Sequence, residues 1–276
     1  TSSLTPARSH QLAHTSSLPH LPMPNPLSLE GVTLHPHAPT PHLLTPDAVR
    51  FVCLLHRTFN HRRLALLSSR QTTKPTPCQL LRETQNIRAH PDWRCPVGEH
   101  GWPHTTCTPR PWHLDEPHMH VDGQAVSATL YDFALHHHHQ RNRNRGNTPP
   151  HYTLHGLQHH LEAQLWRDVL RVAEDVGRVT RGTLHCTLHV DSAHALWQLE
   201  EMLFHLRAHC TAVAAGPSDT QAVRRLREVC ARRGARVEAP PANNPATVQA
   251  PPLAAEGAAH PQFVAVQLLA RPAGRL

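Results

Sequence analysis

Lysine is almost missing from this chain. Lys74 stands alone, so the formal net charge of +7 comes almost wholly from arginine. A basic surface attracts anions, and the bland reading is a solvated face. Aromatic residues make up only 4% of the 276 residues, and no stretch interleaves basic and aromatic side chains as nucleic-acid modules do. Nucleic-acid binding is therefore not expected. There is no run of about 20 apolar residues, so no membrane span is expected. No apolar N-terminal segment reads as a signal peptide. The seven cysteines, at 53, 78, 95, 107, 186, 210 and 230, are odd in number and irregular in spacing. The default is a soluble intracellular protein with reduced thiols.

Histidine and proline fill the space, with 28 and 27 copies. Residues 1–44 are rich in Pro, Ser, Thr and His without a hydrophobic period, and are expected to be disordered. Thr45, Pro46 and Asp47 then form a helix-start signal: a capping hydroxyl, a proline for the first turn and an acid for the positive helix end. Ala48, Val52, Leu55 and Phe59 follow at helical spacing, and a second helical piece is expected after Asn60. Residues 45–93 are read as an N-terminal helical region.

Cys95, His100, His104 and Cys107 have the spacing C-x4-H-x3-H-x2-C. Two thiolates and two imidazoles suit a tetrahedral zinc. The spacing matches no standard finger, and in so His-rich a chain such a cluster also arises by chance. His136–His139 are read as a helical segment, with loose metal binding as the other option. Leu157, Leu161, Leu165, Val169, Ala173 and Val176 line one helical face, with Gly177 suited to its end. Leu184, Cys186, Leu188 and Val190 alternate with His185, Thr187 and His189, a strand pattern. Ala195, Leu199, Met202, Leu203 and Leu206 give another amphipathic helix. Val223, Leu226, Val229 and Cys230 give a third, closed by Gly234, with 235–238 as a further strand. Helix–strand–helix alternation implies an α/β fold.

The stretch 108–135 contains Pro109, Arg110, Trp112, His113, Leu114, Glu116, His118, Asp122, Gly123, Leu130, Asp132, Phe133 and Leu135. In this order they resemble the Arg-Pro-Arg-Gly-Trp-His…Asp-Gly…Asp-Phe stretch of the malate synthases. Residues 82–93 and 150–166 resemble other parts of that family, and 259–261 its Ala-His-Pro. The resemblance implies a TIM-type (β/α) barrel, here partial or incomplete over 94–276. Only 14 residues separate Trp93 from Thr108, where the family carries its early strands. The family's C-terminal catalytic helical domain, which supplies the base, has no counterpart here, so no residue is assigned that role.

The family condenses acetyl-CoA with glyoxylate to give malate, in the glyoxylate cycle, with Mg²⁺. The resemblance places the two metal carboxylates at Asp191 and Asp219. The other reading of each is a helix cap. The family's catalytic arginine falls on Thr108, and Arg110 is the one candidate to replace it, although Pro111 stiffens its loop. A neutral hydroxyl cannot stand in for a guanidinium. Little or no activity is expected of this chain. The alternatives are a non-catalytic His/Cys-rich metal-binding protein and a CoA-binding pseudoenzyme. Kinship suggests peroxisome or glyoxysome in a eukaryote and cytoplasm in a bacterium. Gly274-Arg275-Leu276 resembles a peroxisomal ending only loosely. The sequence leaves the oligomeric state open.

Overall fold

The computed structural model describes residues 29–35, 43–72, 93–95, 106–144, 150–215 and 220–238. The first helix, α1 (Pro46–Thr72), starts as its sequence dictates. The Thr45 hydroxyl accepts the Ala48 N–H at 3.3 Å and the Thr45 carbonyl accepts that of Val49 at 2.9 Å. Contrary to the two-piece expectation, α1 runs unbroken through Asn60. The Asn60 amide is buried and engaged elsewhere: it donates to Gln124 Oε1 at 3.0 Å and accepts from Arg63 Nη1 at 2.9 Å. A side chain so occupied does not compete with the helix backbone.

One feature falls inside the segment expected to be disordered. Val32–Leu34 forms β1, antiparallel to β3 (Asp115–Val121), which also pairs with β4 (Gln124–Ser127). Composition concealed β1 because its partner lies some 90 residues away in sequence. β3 and β4 are joined by Asp122-Gly123, both at positive φ (52° and 77°). This two-residue Asp-Gly turn matches the twist of a hairpin. Arg57 of α1 clamps the turn through two bonds to the Asp122 carboxylate, at 2.8 and 3.0 Å.

The remaining strands make one parallel sheet, in the order β2 (Thr106–Cys107), β5 (His151–Leu154), β6 (His185–Val190), β7 (Cys210–Ala215) and β8 (Arg236–Glu238). Strand order equals chain order throughout. Between β5 and β6 the chain crosses over through α3 (His160–Gly177), after α2 (Ala128–Asn144) has led from the hairpin towards β5. α4 (Ala193–Trp197) and α5 (Leu199–Leu206) connect β6 to β7, and α6 (Thr220–Arg233) connects β7 to β8. Consecutive parallel strands joined by helices make an α/β fold. Among the described residues the sheet is open, with β2 and β8 at its edges.

β6 and β8 stand where the sequence placed them. β7 had no clear signal. Its Cys-Thr-Ala-Val-Ala-Ala run is buried from Cys210 to Ala214, and a strand covered on both faces shows no alternation. α3 ends with Arg178, not Gly177, in the left-handed conformation (φ 53°), its N–H bonded to the Asp175 carbonyl. The helix expected around 195–206 is broken at Gln198. That buried amide instead joins α3 to this corner, accepting the His160 N–H at 3.0 Å and donating to the Gln158 carbonyl at 3.3 Å. Trp112, Phe133, Tyr152 and Trp166 pack together at the centre, with ring centres 4.8–5.7 Å apart. His136 and His137 are buried in α2 beside them. No helix among the described residues is long and apolar enough to cross a membrane.

Candidate active site

Parallel strands expose their C-terminal ends on one side, and ligands of α/β sheets bind there. Three strand ends converge in this chain. β2 leads into Thr108-Pro109-Arg110, β5 into His155-Gly156, and β6 into Asp191. His155 Nε2 donates to the Pro109 carbonyl at 3.0 Å. The Gly156 N–H donates to Asp191 Oδ2 at 2.7 Å, and His189 Nδ1 bonds to Asp191 Oδ1. His189 and Asp191 meet because residues two apart on a strand share a face. Burial works to raise the Asp191 pKa. The bonds from His189 and Gly156, with the charges of His189 and His155, outweigh it and hold the carboxyl below its usual value. Burial depresses the pKa of His155, against the pull of Asp191.

Gly156 has φ +70°, and a Cβ on it would stand 3.1 Å from the Pro111 side chain. Only glycine brings the β5 and β2 ends this close. α1 supports the same loop from behind. Arg70 is paired with the buried Glu162 and donates to the Gly156 carbonyl at 3.0 Å, and the Gln158 N–H bonds to Glu162 at 3.0 Å.

The two motif positions of the β2 loop differ sharply. Thr108 is exposed. Arg110 is held by two carboxylates: Nε and Nη2 bind Asp132 at 2.9 and 2.8 Å, and Nη2 also binds Glu116 at 2.6 Å. Its own N–H donates to Asp132 as well, at 2.9 Å. Burial works to lower the Arg110 pKa, but Asp132 and then Glu116 drive it upward. Glu116 is itself depressed by Arg110 and by His118, against its burial. Trp112 is a core residue packed against Trp166 with the rings tilted by 50°, while His113 beside it is exposed. The buried Arg63 fixes this loop by donating to the Trp112 carbonyl at 2.7 Å and to Asp115 at 2.5 Å.

Of the two carboxylates expected to hold Mg²⁺, only Asp191 falls among the described residues. Asp191 is in place, but Asp219 lies outside them. Asp191 is not the helix cap either. Ser192 is, its hydroxyl accepting the Ala195 N–H at 3.1 Å. Both Asp191 oxygens already accept a hydrogen bond, and no group of three His, Cys, Asp or Glu among the described residues is placed to hold a metal ion. Mg²⁺ prefers a nearly octahedral set of oxygens. Asp191 alone, bonded to a histidine and a backbone N–H, supplies one of those oxygens at most among the described residues.

For the zinc alternative, His100 and His104 lie outside the described residues. Cys95 is buried, its N–H bonded to the Arg233 carbonyl at 2.8 Å. Burial, then Cys210 and Cys230, raise its thiol pKa. Burial and Asp132 raise that of Cys107.

The sequence pointed to Arg110, Thr108 and Asp191 but missed their partners. Glu116 and Asp132 were visible only as motif matches. The one available signal for His189 was its His-x-Asp spacing. A crevice lined by Arg63, Leu66, Leu67, Trp112, Glu162 and Leu165 lies between α1 and α3 rather than at the strand ends, and it is too narrow to admit a water molecule.

Comparisons with known proteins agree with this geometry. Residues 105–237, the run of strands from β2 to β8, match the family model described as malate synthase, TIM barrel domain. Residues 31–75, covering β1 and α1, match that described as malate synthase, N-terminal domain. Malate synthase of Myxococcus xanthus is 37% identical over 112 residues, covering 40% of this chain and 21% of that protein. That of Dictyostelium discoideum is 35% identical over 113 residues, with the same coverage. Glyoxysomal malate synthase of Candida tropicalis is 33% identical over 112 residues, covering 40% of this chain and 20% of that protein. The matched segment thus spans about a fifth of the length of these relatives. Two adjoining domain matches in family order, on a parallel sheet wound in chain order, show that the chain belongs to the malate synthase family.

Proposed function

We propose that the chain is a part-barrel relative of the malate synthases whose strand ends form the acetyl-CoA and glyoxylate side, with little condensing activity of its own. The observation that carries the proposal is the engagement of Arg110. Condensation needs a cation at the enolate oxygen, and a fixed donor of that kind is worth about 10²–10³ in rate. Here Thr108 supplies only a hydroxyl, and the Arg110 guanidinium is committed to Asp132 and Glu116. No step is assigned to a metal. What this chain's residues do is bind and orient: the Gly156–Asp191–His189 unit holds the β5 and β6 ends together, and His155 braces the β2 loop.

On this reading, residues 45–93 form the N-terminal helical region and the sheet from β2 to β8 is a segment of a (β/α) barrel. The glyoxysomal names of several relatives favour the same compartment for a eukaryotic copy. The test is release of free CoA thiol from acetyl-CoA on adding glyoxylate, with malate confirmed by mass spectrometry. A rate at least a hundredfold below that of a full-length family member supports the proposal. A comparable rate overturns it.

A further inference from the structure

Two histidines face each other across the edge of the smaller sheet. The register of β1 on β3 sets Val32 opposite Val121, Thr33 opposite His120 and Leu34 opposite Met119, so the next step along the chain puts His35 opposite His118. The His35 N–H keeps to that register by donating to the His118 carbonyl at 2.8 Å. Directly opposed residues of adjacent strands send their side chains to the same face. Successive residues of a strand alternate faces, and Met119 and Val121 are buried. His118 therefore lies on the outer face, where its side chain is 36% exposed and His35 is exposed. The two imidazoles meet edge to face, with ring centres 6.4 Å apart and planes at 88°. His120, the next outward residue of β3, faces Thr33 instead.

Glu116 orients His118. Its Oε1 accepts from His118 Nδ1 at 2.6 Å and from the His118 backbone N–H at 3.1 Å, while Arg110 holds its Oε2 at 2.6 Å. A carboxylate fixed in this way keeps the ring proton on Nδ1 and leaves Nε2 as the nitrogen with the lone pair. Metal-ligating histidines commonly donate their other ring N–H to a carboxylate in the same manner. An ion about 2.0–2.1 Å from each nitrogen holds two imidazole centres roughly 5–6 Å apart. The observed separation is close to this, and a turn of the exposed His35 side chain makes up the difference. We propose that His35 and His118 form a cross-strand site for a divalent transition-metal ion of the zinc, copper and nickel class, which imidazole suits. Glu116 is the supporting carboxylate, and water completes the shell. Two histidines suffice for such a site, so it needs no three-residue group of the kind that the described residues lack. It shares no residue with Cys95, His100, His104 and Cys107, and it pins the edge strand β1 to β3.

The test adds Zn²⁺ to the full chain without acetyl-CoA or glyoxylate, so it is independent of the catalytic reading. In a chain with 28 histidines, total zinc uptake does not identify a site. Hydrogen exchange followed segment by segment does. Saturating Zn²⁺ is expected to slow amide exchange about tenfold in residues 32–35 and 118–121, because an ion bound only when the two strands are paired opposes their opening. His35→Gln and His118→Gln are each expected to abolish that slowing. His35 is exposed, so its variant keeps the fold, which circular dichroism checks. No zinc-dependent slowing in β1 and β3, or slowing that survives both substitutions, overturns the site.

Discussion

Arg110 and Asp132 are joined three times over: through Nε, through Nη2, and through the Arg110 backbone N–H. The pair locks the β2 loop onto α2, and Glu116 adds a further anchor from β3. On the proposed reading, this relationship makes Arg110 a poor substitute for an arginine at position 108. A cation already neutralised by two acids has little charge to offer a developing enolate.

Removing one partner of such a half-buried pair strands the other. Asp132→Ala is expected to lower stability by about 3 kcal/mol, and Arg110→Ala by a similar amount. The double variant is expected to fall well short of the sum, which urea unfolding of the four proteins measures. An additive result contradicts the coupling. Arg110→Lys is expected to be nearly as harmful as Arg110→Ala, because an ammonium cannot reproduce the fork on Asp132.

Gly156 is constrained by conformation and by space. Gly156→Ala is expected to cost roughly 1–3 kcal/mol, from a left-handed residue acquiring a Cβ that meets Pro111 at 3.1 Å. If the loop yields, the bond to Asp191 lengthens, and amide exchange at Gly156 is expected to speed up. A variant as stable as the wild type, with unchanged exchange at Gly156, shows that the approach is loose.

Acid is expected to unfold this protein early. Burial holds His136, His137 and His151 down to about 4 and His160 down to about 3. Above pH 6.5 these groups are neutral whether the chain is folded or not. As pH falls from 6.5 towards 4, the unfolded chain takes up protons that the folded one refuses, so stability is lost across that window. His137 lies between Phe51 and Phe133, with ring centres 5.6 and 5.7 Å away. His137→Phe is expected to retain roughly 1–3 kcal/mol at pH 4.5 that the wild type loses. Thermal melts of both proteins between pH 4 and 8 test this. Parallel losses on acidification rule His137 out as a contributor.

Thiol reactivity gives a fourth check. Burial raises Cys53, Cys95 and Cys230, the last to about 12. Brief iodoacetamide treatment at pH 8 is expected to leave all three unmodified in the folded protein and to alkylate them in urea, as read by peptide mass spectrometry. Rapid labelling of Cys95 in the native state contradicts its place against α6.

Periodicity made α3, β6 and α6 legible, because their apolar residues recur at helix or strand spacing. β7 escaped for the opposite reason: enclosed on both faces, it has no alternation to read. β1 escaped because its only instruction is the edge of β3. At the candidate site the same division holds. Motif order located Thr108, Arg110 and Asp191. Nothing local revealed that Arg110 is bound by residues 6 and 22 positions on, or that Asp191 bonds to a glycine 35 positions earlier. Those facts arise only when separate strand ends are brought side by side.

The arginines of α1 carry a consequence for the order of folding. Arg57, Arg62, Arg63 and Arg70 grip partners 49 to 106 residues distant along the chain. The β5–α3–β6 unit, in contrast, closes over about 40 residues. Long closures cost more chain entropy and tend to form late. α1 is therefore expected to act as a splint applied to a sheet already assembled. Loosening its grip, as with Arg62→Gln, is expected to hasten unfolding while leaving the refolding rate almost untouched.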